Sequence, residues 1–222
     1  VEAVDEHVEI TNLKVWINGV PVHDFQFVDK SISKTEKRGY ISVNLSTGSN
    51  VIQVSAVNES GFESLKETIE IEYLNEAIKP NLYIVGVGVQ TYSNPDMDLN
   101  YPMKDIRDVV QKFEDSEMFA NVTIDTLFNE SFTQGSLLHL KQRLMKSNEN
   151  DVVLVHFSGH GVLDKEFNFY LSTSNIDFKN PGIEGVPYNQ FIGMLDSIPA
   201  RQRLVLLDAC HSGELDEGAV KF

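Results

Sequence analysis

The chain has 222 residues, 41% hydrophobic and 23% charged, with a formal net charge of −15 and one cysteine. That length can bury one or two cores, the acidic balance excludes nucleic-acid binding through a basic face, and the single Cys210 excludes an intrachain disulfide. No apolar run approaches the roughly eighteen residues of a membrane helix, so no membrane partner is expected, and a lone thiol fits a reducing, cytoplasmic compartment. The chain starts at Val1 rather than Met, so the lack of a secretory signal is weak evidence about its location. An acidic surface suits a basic partner or substrate, although a solvated face is its ordinary explanation.

In chain order, Val8, Ile10, Leu13, Val15 and Ile17 alternate with polar residues at the period of a half-buried strand. Asn18-Gly19 follows, a hairpin signal because both residues tolerate positive φ. Residues 29 to 39 are polar and read as a loop, then Tyr40 to Leu45 and Val51 to Val57 read as strands around a turn at Thr47 to Asn50. Asn58 to Gly61 turns the chain again, and Ile69, Ile71 and Tyr73 alternate. Short strands at this spacing predict a small antiparallel sandwich over residues 1–78, with Trp16, Phe25 and Phe27 in its core.

After Glu76 to Pro80 the period changes. Leu82 to Val89 predicts a buried strand, Pro102 opens a helix with Met103, Ile106, Val109, Val110 and Phe113 on one face, and Val122 to Phe128 is the next strand. Thr133 is the expected cap of a helix carrying Leu137, Leu138, Leu144 and Met145. Asp151 to Phe157 is nearly all apolar, as a central parallel strand requires; Tyr188 to Leu195 is a short helix and Leu204 to Leu207 a fourth strand. The alternation predicts an α/β domain over residues 79–222, a mostly parallel sheet with helices on both faces.

In such sheets reactive groups gather beyond the carboxyl ends of the strands. Here the third strand runs into Ser158-Gly159-His160-Gly161 and the fourth into Asp208-Ala209-Cys210-His211-Ser212-Gly213. If these strands are neighbours, an imidazole faces a thiol, the pair needed for nucleophilic attack on a carbonyl. Cys210 would attack, His160 would move the proton, and the amides of Gly161 and Cys210 would hold the oxyanion.

These two segments, with His before Cys, resemble the signatures of the caspase, metacaspase and paracaspase superfamily. The likeness covers about residues 80 to 222 and includes Leu82 to Val89, Leu99, Lys104 and Asp105. It implies a caspase-like fold and a thiol endopeptidase acting on proteins or peptides, in cell death or defence. The first 75 residues lie outside it and resemble only a generic immunoglobulin-like module. Asp208 stands two places before the cysteine, as in metacaspases, whose pocket Asp and Ser match Asp105 and Ser158; the implied preference is Arg or Lys at P1. The Asp105 match departs from that branch, because Tyr101-Pro102 stands where a Gly-Cys pair is expected. The family's fold continues into a small subunit, so a p10-type partner and activation by processing are implied, with a regulatory protein on the β domain.

No cofactor is required by this chemistry. Metacaspase calcium sites point to Asp177, Asp216 and Glu217, but six to eight oxygens are needed and acids scattered on so acidic a chain occur by chance. His156 reads as a core histidine and His211 as a group beside the pair; a metal site joining them to His160 and Cys210 matches no familiar zinc spacing. Asp208 has a structural alternative, binding backbone amides. The competing function is a catalytically silent scaffold that binds through either domain.

Overall fold

The structure, a computed structural model, describes residues 1–23, 25–74 and 79–209. The chain divides into two compact units, Val1–Ile78 and Lys79–Phe222.

The first unit is built of β1 (Glu2–Val4), β2 (Ile10–Ile17), β3 (Val20–Val22), β4 (Gln26–Asp29), β5 (Glu36–Ser42), β6 (Gly48–Asn58) and β7 (Glu67–Tyr73). Antiparallel pairing gives a sheet ordered β1-β5-β4 and another ordered β3-β2-β6-β7. Asn18 and Gly19 both take positive φ, 53° and 79°, and close the β2–β3 hairpin. Three sequence expectations fail here. The turn expected at Thr47 to Asn50 is already strand from Gly48, with Ser49 and Asn50 in the ladder to β7. Residues 36 to 39 are not loop: β5 is the central strand of its sheet, and its charges are answered across the ladder, Arg38 opposite Glu2 and Lys37 reaching Asp29 at 3.2 Å. Trp16 is not core. It alternates out of phase with the buried Val15 and Ile17, and the Lys66 ammonium covers its ring at 3.5 Å.

The second unit contains β8 (Leu82–Gly88), α1 (Pro102–Glu114), β9 (Val122–Phe128), α2 (Ser136–Leu144), β10 (Val152–Ser158), β11 (Gly161–Leu163), β12 (Phe169–Leu171), β13 (Val186–Pro187), α3 (Tyr188–Gly193) and β14 (Gln202–Asp208). Its main sheet is wholly parallel, ordered β14-β10-β8-β9. On one face Leu82, Ile84 and Leu154 pack with Val109, Val110 and Phe113 of α1. On the other, Val85, Val87, Val153, Val155 and Phe157 join Leu137, Leu140 and Leu144 of α2 and Phe191 of α3. The sheet is therefore covered on both faces, which is why its strands read as continuous apolar runs. Gly135 stands at the N-cap of α2, and the Thr133 hydroxyl accepts from the amide of Ser136, the helix's first residue, at 3.2 Å, while the Ser136 hydroxyl accepts from the Thr133 amide at 3.2 Å. The small sheet β11-β12-β13 was not anticipated, its strands being too short to show a period. Among the described residues no helix is long and apolar enough to cross a membrane.

Strand order reverses between β8 and β10: the chain leaves β8 toward β9 on one side and leaves β10 toward β14 on the other. The segments that follow β8 and β10 both leave from the carboxyl ends of these central strands, where the reactive groups of open α/β sheets gather.

Candidate active site

Three groups from three elements meet on the α1 face at that end of the sheet. Ser158 ends β10 and is aligned with Asp208, the last residue of β14, and with Gly88 of β8. Partners in a parallel register point to the same face, so Ser158 and Asp208 share the face that α1 covers. Asp105, in the first turn of α1, accepts a hydrogen bond from the Ser158 hydroxyl at 3.4 Å. The approach depends on β8 glycines. A Cβ at Gly86 would lie 2.4 Å from Ile106 Cγ2, and one at Gly88 would lie 3.0 Å from the Pro102 carbonyl. Without side chains there, the first turn of α1 settles onto the sheet and brings Asp105 over the end of β10. Asp208 is exposed and Ser158 is buried, so the acidic rim has a closed floor.

His156 lies one step down the same face, 7% exposed, with no partner for Nδ1. Burial holds its imidazole below the ordinary histidine range, while the charges of Asp105 and Asp208 pull the other way.

His160 follows one residue beyond the buried Gly159, whose amide donates to the Asp208 carbonyl at 3.1 Å. Its Nε2 is 2.9 Å from the Met97 carbonyl. A carbonyl only accepts, so Nε2 carries the proton and Nδ1 is left as the basic nitrogen of the neutral ring. Met97 is presented by the 89–99 loop, which is tied shut: the Asp98 side chain accepts from the Tyr92 amide at 2.8 Å and the Leu99 amide donates to the Gln90 carbonyl at 2.9 Å. The His160 ring also lies 5.1 Å from the Tyr92 ring and 5.6 Å from that of Phe178. These neighbours escape sequence reading because they come from loops without periodicity. Tyr92 stands 68 positions before His160, and only the fold brings them together.

Gly161 is buried and opens β11 opposite Leu171. Cys210, His211, Asp216 and Glu217 lie outside the described residues. The structure does bring their approach strand, β14, beside β10. Asp177 accepts from the amides of Lys179 and Asn180. Among the described residues no three His, Cys, Asp or Glu side chains are grouped to hold a metal ion.

A family model described as the Caspase domain matches residues 84–221. Metacaspase-7 of Arabidopsis thaliana is 29% identical over 125 residues, which is 50% of this chain and 29% of that protein, so the chain spans less than a third of its length. The crystal structure of protein GSU0716 from Geobacter sulfurreducens aligns at a TM-score of 0.47 and 18% identity, over 61% of this chain and 53% of that one.

Proposed function

The chain belongs to the caspase-domain family, and on that premise we propose that it is a thiol endopeptidase with His160 and Cys210 as its catalytic pair, cleaving after Arg or Lys. The observation that carries the reading is the His160 ring, held through Nε2 by the Met97 carbonyl with Nδ1 left basic, at the end of a strand adjacent to the one that leads into Cys210. Nδ1 takes the thiol proton as sulfur adds to the peptide carbonyl. The oxyanion is met by the amides of Gly161 and Cys210. Collapse breaks the C–N bond, and the proton on Nδ1 passes to the leaving amine. Water then adds to the thioester, giving the carboxylic acid and restoring the thiol. The cycle balances with water and protein groups alone.

Preference for a basic P1 residue rests on Asp105, Ser158 and Asp208, which lie on one face at the carboxyl end of the sheet. Two carboxylates there attract a guanidinium or ammonium and repel an acidic side chain. A small p10-type subunit is the proposed partner of β14, an edge strand whose Leu204 and Leu207 are 53% and 41% exposed. Activation by processing, a cytoplasmic location and a role in cell death or defence belong to the same proposal. We read the first unit as an immunoglobulin-like sandwich that docks a regulatory protein, a reading supported by its two antiparallel sheets and the exposed Ile69 and Tyr73 on its edge strand β7.

The test is turnover of fluorogenic Arg, Lys and Asp peptides by the full-length protein, beside Cys210→Ala and Asp208→Asn. Arg and Lys peptides should be cut, Cys210→Ala should be inactive, and Asp208→Asn should lose about 10- to 100-fold in kcat/KM on Arg peptides, the scale of one or two charge-assisted hydrogen bonds. No thiol-dependent turnover after activation would leave the silent scaffold as the better reading. Preference for Asp peptides would overturn the P1 assignment alone.

A further inference from the structure

Backbone and ring contacts to His160 converge on Tyr92, Ser172 and Phe178, none of which enters the chemistry above. The Tyr92 hydroxyl is buried among three partners: the His160 amide at 3.2 Å, the Val89 carbonyl at 3.1 Å and the Ser172 hydroxyl at 2.8 Å. Only one assignment satisfies all of them. The amide can only donate and the carbonyl can only accept, so Tyr92 donates its one proton to Val89 and accepts from both His160 and Ser172. All three hydrogen-bonding positions of the phenol are then filled. Burial pushes the phenol above its ordinary range, and the bonds from Ser172 and the His160 amide act against that rise.

Ser172 is fully buried and closes the circuit, because its amide donates to the His160 carbonyl at 3.0 Å. Both polar backbone groups of His160 are thereby fixed, the amide by the Tyr92 hydroxyl and the carbonyl by the Ser172 amide, and the Ser172 hydroxyl links the two partners. The ring is fixed as well. Tyr92 tilts against it at 49° and Phe178 meets it edge-on at 83°, while Tyr92 and Phe178 also touch each other at 5.6 Å between centroids. Gly159 leaves room for this, since a Cβ there would lie 3.0 Å from the Phe157 ring and 3.4 Å from the Tyr92 hydroxyl.

We propose that Tyr92, Ser172 and Phe178 are positioning residues for His160: the Tyr92 hydroxyl, held in place by that of Ser172, locks its backbone amide, and the two rings hold its imidazole so that Nε2 stays on the Met97 carbonyl and Nδ1 stays on the reactive side. The inference rests on His160 being the catalytic base. With χ1 and χ2 of His160 free, the ring would swing off Met97 and exchange tautomers, and a small misplacement of a proton-transfer group costs up to about 100-fold in rate.

The experiment pairs kinetics on the activated full-length protein with nitrogen NMR of isotope-labelled histidine, for Tyr92→Phe, Ser172→Ala, Phe178→Leu and Phe178→Tyr. Active sites are counted with a thiol-directed peptide label, and thermal midpoints are recorded for each variant. Tyr92→Phe should lose about 10-fold in kcat per labelled site with KM unchanged, Ser172→Ala and Phe178→Leu somewhat less, and Phe178→Tyr should recover most of it. The His160 nitrogens should shift from a single Nε2–H tautomer toward a mixture in the first three variants. A purely structural role predicts something different: a lower thermal midpoint and fewer labelled sites, but wild-type kcat per site and an unchanged tautomer, and that result overturns the proposal. Should Tyr92→Phe fail to fold, Ser172→Ala and the Phe178 pair decide the matter. If the wild type turns over no peptide, the protease reading fails, and the nitrogen spectra alone decide whether these residues position the ring.

Discussion

The two units solve the burial problem differently. In the α/β unit a parallel sheet is covered twice, and buried apolar side chains come from strands and all three helices. In the β unit the buried apolar residues among those described are Ile10, Leu13, Val15 and Ile17, all on β2. The edge strand β7 leaves Ile69 and Tyr73 56% and 41% exposed. A strand buried on both faces must be apolar at every position, whereas an antiparallel strand buried on one face can alternate with water. The consequence is functional: the doubly covered unit carries the buried His156 and Ser158 on the strand that leads into His160.

The molecule offers separate probes of the two units. Trp16 is the sole tryptophan and lies in the first, while α1, α2 and α3 all lie in the second. Tryptophan fluorescence and helical circular dichroism therefore report different units during unfolding. The largest effect is expected from Phe157→Ala. Phe157 is fully buried between the Phe132 and Phe191 rings, and its loss should cost about 3–5 kcal/mol. The helical transition should move to lower denaturant while the Trp16 transition stays; a joint shift would show that the units do not unfold separately. Next comes Gly86→Ala, where the new Cβ collides with Ile106, at about 1–3 kcal/mol. It should also weaken cleavage of basic peptides, since α1 carries Asp105, and adding Ile106→Ala should restore part of both losses. No recovery in the double variant would refute the packing account. Ile17→Val in the β unit should cost about 0.5–1.5 kcal/mol and be seen by Trp16 alone.

The smallest effect is a pH dependence. Burial holds the folded His156 imidazole below the ordinary histidine value of about 6.5, so below that pH the unfolded chain binds more protons than the folded one. Stability is then lost as pH falls and is fully present above the unfolded value. His156→Gln should flatten the decline of the helical transition below pH about 6.5. An unchanged decline would place its origin in other groups.

Much of the secondary structure was legible because burial writes a period into the sequence. The Asn18-Gly19 hairpin, the apolar runs of β8, β9, β10 and β14, and Pro102 at the start of α1 were each visible from local chemistry. The misreadings share a cause: a neighbour satisfied groups that look unsatisfied in isolation. Glu36, Lys37 and Arg38 look like loop, yet β1 and β4 pair β5 on both edges. Trp16 looks like core, yet Lys66 covers it from outside.

What the sequence by itself determined is the inventory: an α/β half with His160 and Cys210 at the ends of successive predicted strands, after a β half of different period. What only the tertiary structure decided is adjacency. It set β14 beside β10 with Asp208 level with Ser158, laid Asp105 over them through two glycines, and turned His160 so that Nε2 faces the Met97 carbonyl. Periodicity reports which side of an element is buried. It carries no record of which distant loop supplies the partner, and the groups around His160 come from loops whose order in space is fixed only when the sheet is assembled.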